Sequence, residues 1–259
     1  MERLYRVSRG GERFFAVEQD GVLRRAVPDG ASIFDGYTPG PAVDGGLGAV
    51  TIHAPVQPSK LVCVGLNYKD HAAEMKKALP AEPLLFLKPP STVLDPGGAI
   101  LLPPDIGTVH YESELALVIG RRAHRVPASK AWDYVLGVTC LNDVTARDIQ
   151  NRETQYTRAK GFDTFAPFGP CVEVGGTRGP RTIEGFVNGE RRQHSSTANL
   201  IFPVEFLIEY ITFVMTLEPG DIISTGTPSG VGPIVAGDTV SVRIEGVGEL
   251  SNPVRNESR

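Results

Sequence analysis

Two glutamates separated by one serine, Glu112-Ser113-Glu114, form the first pattern in the chain that could do chemistry. Side chains at i and i+2 of a strand point to one face, so both carboxylates would project together, with His110 at the same edge. The residues after Glu114 are apolar as far as Ile119, so the strand runs from the acids into a core. Two carboxylates at the mouth of a core repel each other unless a cation lies between them. An isolated pair of this type is more often a solvated strand end.

A third carboxylate, Asp143, follows a second apolar run, residues 135–142. Three carboxylates delivered from the ends of buried strands make a hard-oxygen site suited to Mg²⁺ or Mn²⁺, with water or substrate completing the octahedron. The three cysteines are isolated among apolar residues, which predicts buried thiols rather than a softer metal site. The sequence therefore predicts a metal site on Glu112, Glu114 and Asp143.

His71 and Glu74 are the next pair with a chemical spacing. We predict a helix from Tyr68 to Leu79, capped by Asn67 and stopped by Pro80. Residues i and i+3 share a face of a helix, so the Glu74 carboxylate can orient the imidazole as a general base. Taken alone, a pair at this spacing is usually a surface contact.

Arg147 and Gln150 have the same i, i+3 relation on a predicted helix after Asp143, which Thr145 can cap. Both side chains can therefore face the site that Asp143 belongs to. Lys160 is one lysine among many, and its local sequence assigns it no role.

A glycine-rich loop, residues 226–232, follows a β-run near the end of the chain. It lacks the GK[ST] sequence of a phosphate loop and the G-x-G-x-x-G pattern, which argues against a nucleotide. The backbone N–H groups of the loop, which starts at Gly226, and the Thr227 hydroxyl could still hold a carboxylate. A tight β-turn explains the loop equally well on local grounds.

The elements that must position these residues are mostly strands. Among 259 residues, 29 glycines and 21 prolines indicate frequent turns and few helices. Residues 1–55 read as a small β domain with a hairpin at Asp20-Gly21, followed by a linker rich in Gly and Pro at residues 39–48. Residues 56–259 form the main domain. The predicted fold class is α+β, with a dominant mixed β-roll.

Charge and hydropathy restrict the partners. A formal net charge of -4 gives no electrostatic reason to expect nucleic acid or an anionic membrane. No apolar run is long enough to span a bilayer, and the N-terminal residues do not resemble a signal peptide, so we expect a cytoplasmic protein. A small anionic substrate would need a local positive site, which a metal ion can supply.

Taken together, these stretches resemble the fumarylacetoacetate hydrolase family. The resemblance is ordered and covers roughly residues 60–250, and it includes the acylpyruvase and oxaloacetate decarboxylase branch and the bacterial dienedioate isomerases. The matching segments are Val64-Gly65-Leu66-Asn67-Tyr68, Asp70-His71, Glu74, Phe86-Leu87-Lys88-Pro89, Glu112-Ser113-Glu114-Leu115, Asn142-Asp143-Val144-Thr145-Ala146-Arg147-Asp148 and Gly220-Asp221 to Gly232.

The resemblance implies a mixed β-sandwich roll that usually forms a homodimer. It implies Mg²⁺ on the three carboxylates, and a water-activating dyad of His71 and Glu74 on a helix that orders over the substrate. Lys160 would assist catalysis beside the metal. The implied substrate contacts are Arg147, Gln150, Gly226 and Thr227.

The implied function is metal-dependent cleavage of a C–C bond, by hydrolysis or decarboxylation, in small 2-oxo carboxylates such as acylpyruvates or oxaloacetate. An alternative is an isomerase or decarboxylase of 2-oxo-heptenedioates in aromatic catabolism. An alternative of another class is a non-catalytic protein that binds a metal and a carboxylate. The His71–Glu74 pair argues against the last, because pure binding needs no water-activating group.

Overall fold

Within residues 2–175 and 178–258, the computed structural model contains twenty β-strands and four α-helices. The strands are β1 Glu2–Arg9, β2 Glu12–Gln19, β3 Val22–Pro28, β4 Tyr37–Ala42, β5 Thr51–His53, β6 Leu61–Gly65, β7 Leu84–Lys88, β8 Val93–Leu94, β9 Ile100–Leu102, β10 Val109–Tyr111, β11 Ser113–Ile119, β12 Val135–Asn142, β13 Thr145–Ala146, β14 Ala166–Val174, β15 Thr182–Val187, β16 Glu190–Ser196, β17 Ile222–Ser224, β18 Gly232–Ile234, β19 Thr239–Ile244 and β20 Gly248–Asn256. The helices are α1 Lys69–Glu74, α2 Arg147–Arg152, α3 Thr157–Lys160 and α4 Val204–Val214. This mixed architecture confirms the predicted α+β class.

Three sheets organise the described residues. The largest has the strand order β4-β3-β2-β1-β14-β12-β11-β17-β6-β7, with β5 added on β1 and β8 on β14. A five-stranded sheet, β16-β15-β19-β20-β9, packs on one face of it, and a small sheet, β13-β10-β18, shares a core cluster with the five-stranded sheet. The side chains of β11 alternate as a buried strand requires: Leu115 and Leu117 face the core shared with the five-stranded sheet, and Ala116 enters the core on the opposite face. The arrangement is the mixed β-sandwich roll that we predicted.

The N-terminal residues form the edge of the largest sheet. The predicted hairpin is confirmed, because Gln19 pairs with Val22 and the two turn residues Asp20 and Gly21 have positive φ angles of 52° and 76°. Strand β1 then pairs with β14 of the main domain. The linker predicted at residues 39–48 is partly wrong, since residues as far as Ala42 form β4 on β3. The predicted division into domains 1–55 and 56–259 stays a prediction. The first residue of the first domain and the last residue of the second, residues 1 and 259, lie outside the described residues.

The helix that carries His71 and Glu74 is shorter than the predicted span, because α1 ends at Glu74 and Lys76 adopts a φ of +54°. Asn67 does not cap it. Its side chain is fully buried, donating to the carbonyls of Phe202 and Thr225 and accepting from the Phe202 N–H. The long-range contacts of a buried amide therefore replace the cap that the local sequence predicted.

The predicted cap of the next helix is also wrong. Thr145 lies in β13, paired with His110 of β10, and its hydroxyl donates to the Asp143 carbonyl, so α2 starts two residues later at Arg147. Helix α4 is amphipathic and buries Leu207, Ile208 and Ile211 among others. The three cysteines are buried free thiols, as predicted.

Candidate metal centre and active-site cavity

A cavity of about 600 Å³ lies where α1, β7, the ends of β10 and β11, α2 and the glycine-rich loop meet. This volume is within the range of small-molecule sites. Nine of the ten site residues predicted from the sequence line it, namely His71, Glu74, Glu112, Glu114, Asp143, Arg147, Gln150, Thr227 and Lys160. The tenth, Gly226, borders it through its contact with Glu114.

The three predicted metal ligands converge at the bottom of this cavity. One carboxylate oxygen from each of Glu112, Glu114 and Asp143 lies within 4.8 Å of the other two. All three residues are buried, with 5%, 2% and 0% of their surfaces exposed. Glu112 directly precedes β11, Glu114 is its second residue, and Asp143 directly follows the neighbouring strand β12. The strand ends therefore deliver the acids as their spacing predicted.

Three cationic side chains oppose the acids. The Lys160 ammonium donates to Glu112 Oε2 at 2.7 Å and to Asp143 Oδ2 at 2.5 Å. Lys88 Nζ donates to Asp143 Oδ1 at 2.6 Å and to the Val144 carbonyl at 3.1 Å. Arg147 Nη2 lies 2.5 Å from Glu112 Oε1. Both lysines are buried, so these charges are compensated inside the protein rather than by water.

The acids differ in their pKa because their neighbours differ. Burial would raise the pKa of Glu112, but the charges of Lys160 and Arg147 outweigh it and hold the pKa at about 2. Burial, together with the negative charges of Asp143 and Glu112, raises the pKa of Glu114 to about 8. Burial would lower the pKa of Lys160, but the same acids raise it above its ordinary value. Lys160 therefore stays an ammonium donor and cannot serve as a base near neutral pH.

Glu114 is held from one side. Ser224 Oγ donates to its Oε2 at 2.5 Å and the Gly226 N–H donates to the same oxygen at 2.9 Å, which leaves Oε1 for a ligand. Gly226 has a φ of +99°, and a Cβ at this position would lie 2.8 Å from the Asn67 Cβ. Only glycine fits this close approach without displacement. The Gly226 N–H thus orients a candidate metal ligand, and the contact of Gly226 with a substrate stays a prediction.

The donor set fits a hard divalent cation. Metal–oxygen distances of about 2.1 Å place octahedral ligand oxygens roughly 3–4 Å apart, which small side-chain rotations reach from separations below 4.8 Å. Two of the three carboxylates already contact a cation in the form of Lys160. Carboxylate oxygens without a cysteine ligand favour Mg²⁺ or Mn²⁺ over a softer metal.

The His71–Glu74 pair lies at the side of the cavity. His71 Nδ1 is 2.9 Å from Glu74 Oε2, as the i, i+3 spacing predicted. An ionised carboxylate only accepts hydrogen bonds, so the tautomer that fits this contact has its proton on Nδ1 and a lone pair on Nε2. His71 is buried whereas Glu74 is partly exposed. This geometry is suited to a general base.

The predicted substrate contacts are partly engaged with the protein. Thr227 Oγ1 donates to the Ser113 carbonyl at 2.9 Å and accepts from Gln193 Nε2 at 2.9 Å. The Gln150 amide oxygen accepts from Arg147. These contacts hold the glycine-rich loop and the Arg147 side chain, which contacts Glu112, in place. The roles of Thr227, Gln150 and Arg147 toward a substrate stay predictions.

Lys88 is the cluster residue that sequence reasoning missed, although it lies within a stretch that resembles the family. The sequence feature that could have identified it is a lysine at the end of the mostly apolar strand β7, directly before Pro89. Strand spacing relates a side chain only to its own strand, and Lys88 precedes Asp143 by 55 residues. Its ion pair with Asp143 comes from the packing of separate strands.

Known proteins resemble the chain over most of its length. A protein of Mycobacterium tuberculosis is 50% identical over 211 residues, 80% of either chain. The mitochondrial oxaloacetate tautomerase of Arabidopsis thaliana is 44% identical, with 75% of this chain and 90% of that protein covered. The crystal structure of 2-hydroxyhepta-2,4-diene-1,7-dioate isomerase from Mycobacterium marinum superimposes with a TM-score of 0.89 at 41% identity and covers 100% of both chains.

No helix in the described part of the chain has the length and apolar character needed to cross a membrane. The sequence profile described as fumarylacetoacetate (FAA) hydrolase C-terminal matches residues 60–255, which contain all ten predicted site residues. The resemblance read from the sequence motifs is therefore confirmed, and the chain belongs to the fumarylacetoacetate hydrolase family.

Proposed function

We propose that the protein is a divalent-metal-dependent enzyme that moves a proton between the keto and enol forms of small 2-oxo dicarboxylates, with oxaloacetate as the simplest substrate. The names of two similar proteins, an oxaloacetate tautomerase and a dienedioate isomerase, describe reactions of this type. The observation that carries the proposal is the charge of the buried cluster.

With the acids ionised, the charges of the cluster balance. Three carboxylates face the positive groups of Lys88, Lys160 and Arg147. A bound divalent cation would leave an excess of two positive charges in a buried cavity. A dicarboxylate, or an enolate that carries one carboxylate, has the two negative charges that neutralise this excess. A neutral sugar or an apolar molecule would leave it uncompensated.

The three carboxylates, Lys160 and the His71–Glu74 pair would have separate roles in this proton transfer. A cation bound by the three carboxylates would supply Lewis-acid polarisation of the 2-oxo group, which makes the neighbouring C3 protons more acidic. Lys160, held protonated, can donate a hydrogen bond to the oxygen on which negative charge develops. His71 Nε2 can accept the proton from C3 and return it, while Glu74 stabilises the imidazolium. No atom is gained or lost in this exchange.

C–C bond cleavage is the second candidate, and the His71–Glu74 pair favours it. If the substrate carries a carbonyl at C4, as an acylpyruvate does, the same base can deliver water to it and release pyruvate. If C4 is a carboxylate, CO₂ can leave without water. The proposed sites for proton transfer and for cleavage are therefore the same, and the substrate decides the outcome.

A substrate panel with Mg²⁺ tests the proposal. We expect the wild-type protein to accelerate the loss of the oxaloacetate enol absorbance and the exchange of the C3 protons for deuterium, relative to the Asp143→Asn variant. Acetylpyruvate and a 2-oxo-heptenedioate in parallel assays report hydrolysis and isomerisation. Equal rates for wild type and Asp143→Asn on every substrate would refute the proposed enzyme activity.

Removing the base should separate these reactions. We expect His71→Ala and Glu74→Ala each to slow enolisation and acylpyruvate hydrolysis by about 10²-fold, because both need proton transfer by a side chain. Decarboxylation of oxaloacetate should fall much less, since no water or base takes part in breaking the bond. Lys69→Ala, an exposed position of the same helix, is the matched control. Equal losses in all three reactions would assign the pair to binding instead of proton transfer.

Lys77 is a candidate for recognition of the second carboxylate of the substrate, the one farther from the 2-oxo group. This residue lines the cavity, and among the described residues its ammonium has no acidic partner. We expect Lys77→Met to lower kcat/KM for oxaloacetate by about twofold to fivefold relative to acetylpyruvate, the scale of one solvent-exposed charge pair. Lys76→Met removes the same charge from a neighbouring position that does not line the cavity. An unchanged ratio of the two substrates in Lys77→Met would contradict this role.

A further inference from the structure

The Glu74 carboxylate has two hydrogen-bond partners, the His71 imidazole and a backbone N–H of the glycine-rich loop. Glu74 Oε2 lies 2.9 Å from His71 Nδ1, and the Gly230 N–H donates to Glu74 Oε1 at 3.0 Å. The Glu74 side chain is 42% exposed, so packing alone does not restrict its rotamers. The Gly230 N–H is therefore the contact that selects the orientation in which Glu74 meets the imidazole.

Gly230 occupies a position that other residues cannot take without a shift. Its φ is +93°, and a Cβ built on it would lie 2.1 Å from the Arg192 carbonyl oxygen. A glycine has no side chain to anchor its two peptide planes, so neighbouring groups must do this. The Tyr111 hydroxyl donates to the Gly230 carbonyl at 2.7 Å and supplies that anchor.

Tyr111 is itself immobilised. It is 1% exposed, lies in β10 and pairs through its backbone with Gly232, two residues beyond Gly230. The next residue in the chain is Glu112 of the carboxylate cluster. Two adjacent residues thus contact the carboxylate cluster and the His71–Glu74 side of the cavity. Glu112 belongs to the cluster and contacts Lys160, and Tyr111 contacts the loop that holds Glu74.

We propose that Tyr111 is a positioning residue for the His71–Glu74 pair and acts through the Gly230 peptide. This inference rests on the proposed function, in which His71 transfers a proton. The Tyr111 hydroxyl fixes Gly230, Gly230 fixes Glu74, and Glu74 aims the imidazole. The register between β10 and the loop then sets the separation between the base and the carboxylate cluster.

A second anchor holds α1 independently of Tyr111. Ser195 Oγ donates to Asp70 Oδ2 at 2.5 Å, and Asn199 Nδ2 donates to Ser195 Oγ at 3.1 Å. Asp70 Oδ1 also accepts from the His71 N–H at 2.8 Å. Loss of the Tyr111 hydroxyl should therefore leave the helix in place and change only the aim of its last residue, Glu74.

A double-mutant cycle with Tyr111→Phe and Glu74→Ala tests the inference. Tyr111→Phe should lower kcat for oxaloacetate enolisation by about threefold to tenfold, the scale of one hydrogen bond, with KM changed by less than about twofold. In the Glu74→Ala background the same substitution should have no further effect, because the carboxylate that Tyr111 positions is gone. Tyr210→Phe, whose hydroxyl lies 3.5 Å from Glu82 Oε2 at the surface, is the control and should match wild type.

The outcomes separate the inference from the proposed function. Multiplicative losses in the double variant would show that Tyr111 acts elsewhere, for example on Glu112, and would overturn the inference. A Glu74→Ala variant with full activity would instead refute the proposed role of the pair. Gly230→Ala supplies a second route if Tyr111→Phe does not fold. It should displace the same N–H and show the same absence of a further loss in the Glu74→Ala background, and an additive loss there would also overturn the inference.

Discussion

Replacing Asp143 by Asn, or Glu112 or Glu114 by Gln, is expected to reduce turnover by at least about 10³-fold and to weaken Mg²⁺ binding. Changes to residues that only neighbour metal ligands already cost about 10–100-fold, and each of these substitutions replaces a charged oxygen ligand by a neutral amide. Isothermal titration of Mg²⁺ into each variant measures the affinity directly. An unchanged Mg²⁺ affinity in any one variant would remove that residue from the proposed metal site.

Mg²⁺ affinity should also rise with pH. The raised pKa of Glu114, about 8, means that its carboxyl holds a proton at neutral pH when no cation is bound. A cation must displace this proton, so the affinity should increase as the pH rises toward 8 and level off above it. Titrations in buffers of different ionisation enthalpy would detect the released proton. The Glu114→Gln variant has no such proton and should lose the pH dependence in this range.

The same carboxyl offers a control for folding. Its pKa is higher in the folded chain than the ordinary value of 4.5, so the stability it contributes is present below pH 4.5 and is lost as the pH rises toward 8. Glu114→Gln imitates the protonated form. Without Mg²⁺, the variant should therefore unfold at a temperature equal to or above that of wild type at pH 8, which would show that its inactivity does not come from unfolding.

Lys160→Met is expected to lower turnover by about 10²–10³-fold, the cost of removing one hydrogen-bond donor to a developing oxyanion. The same substitution should also change the affinity for Mg²⁺. The ammonium contacts Glu112 Oε2 and Asp143 Oδ2, so it competes with a cation for the same carboxylates. We therefore expect the variant to bind Mg²⁺ more tightly than wild type although it is less active.

Thermal unfolding with and without Mg²⁺ completes this test. Without Mg²⁺, Lys160→Met leaves two buried carboxylates short of a counter-charge and should unfold at a lower temperature than wild type. Saturating Mg²⁺ should raise its unfolding temperature by more than it raises that of wild type. Lys130→Met, an exposed lysine remote from the cavity lining, controls for the loss of charge. Weaker Mg²⁺ binding in Lys160→Met would show that the ammonium and the metal do not share ligands.

The predicted homodimer, the cytoplasmic location and the choice of Mg²⁺ over Mn²⁺ stay predictions from the family resemblance and the composition. Sedimentation of the purified protein at several concentrations measures the first. The metal preference follows from the same titrations that test the three carboxylates, performed with both ions.

Local spacing in the sequence indicated the candidate ligands and the candidate base, and the family resemblance assigned their roles. Glu112 and Glu114 are two residues apart at the start of one strand and Asp143 directly follows another, so short-range backbone geometry places each carboxylate at a strand end. The His71–Glu74 contact follows in the same way from the rise of one helical turn. These predictions depend only on near neighbours in the chain.

The tertiary structure alone decided what surrounds those residues. Lys88 and Lys160 reach Asp143 from 55 and 17 residues away, and Asn67 gives up its predicted cap for partners 135 and 158 residues along the chain. Likewise, two N–H groups of the glycine-rich loop, those of Gly226 and Gly230, donate to Glu114 and Glu74. Buried polar groups must find partners wherever the packed strands bring them, and local periodicity contains no information about which strands will be neighbours.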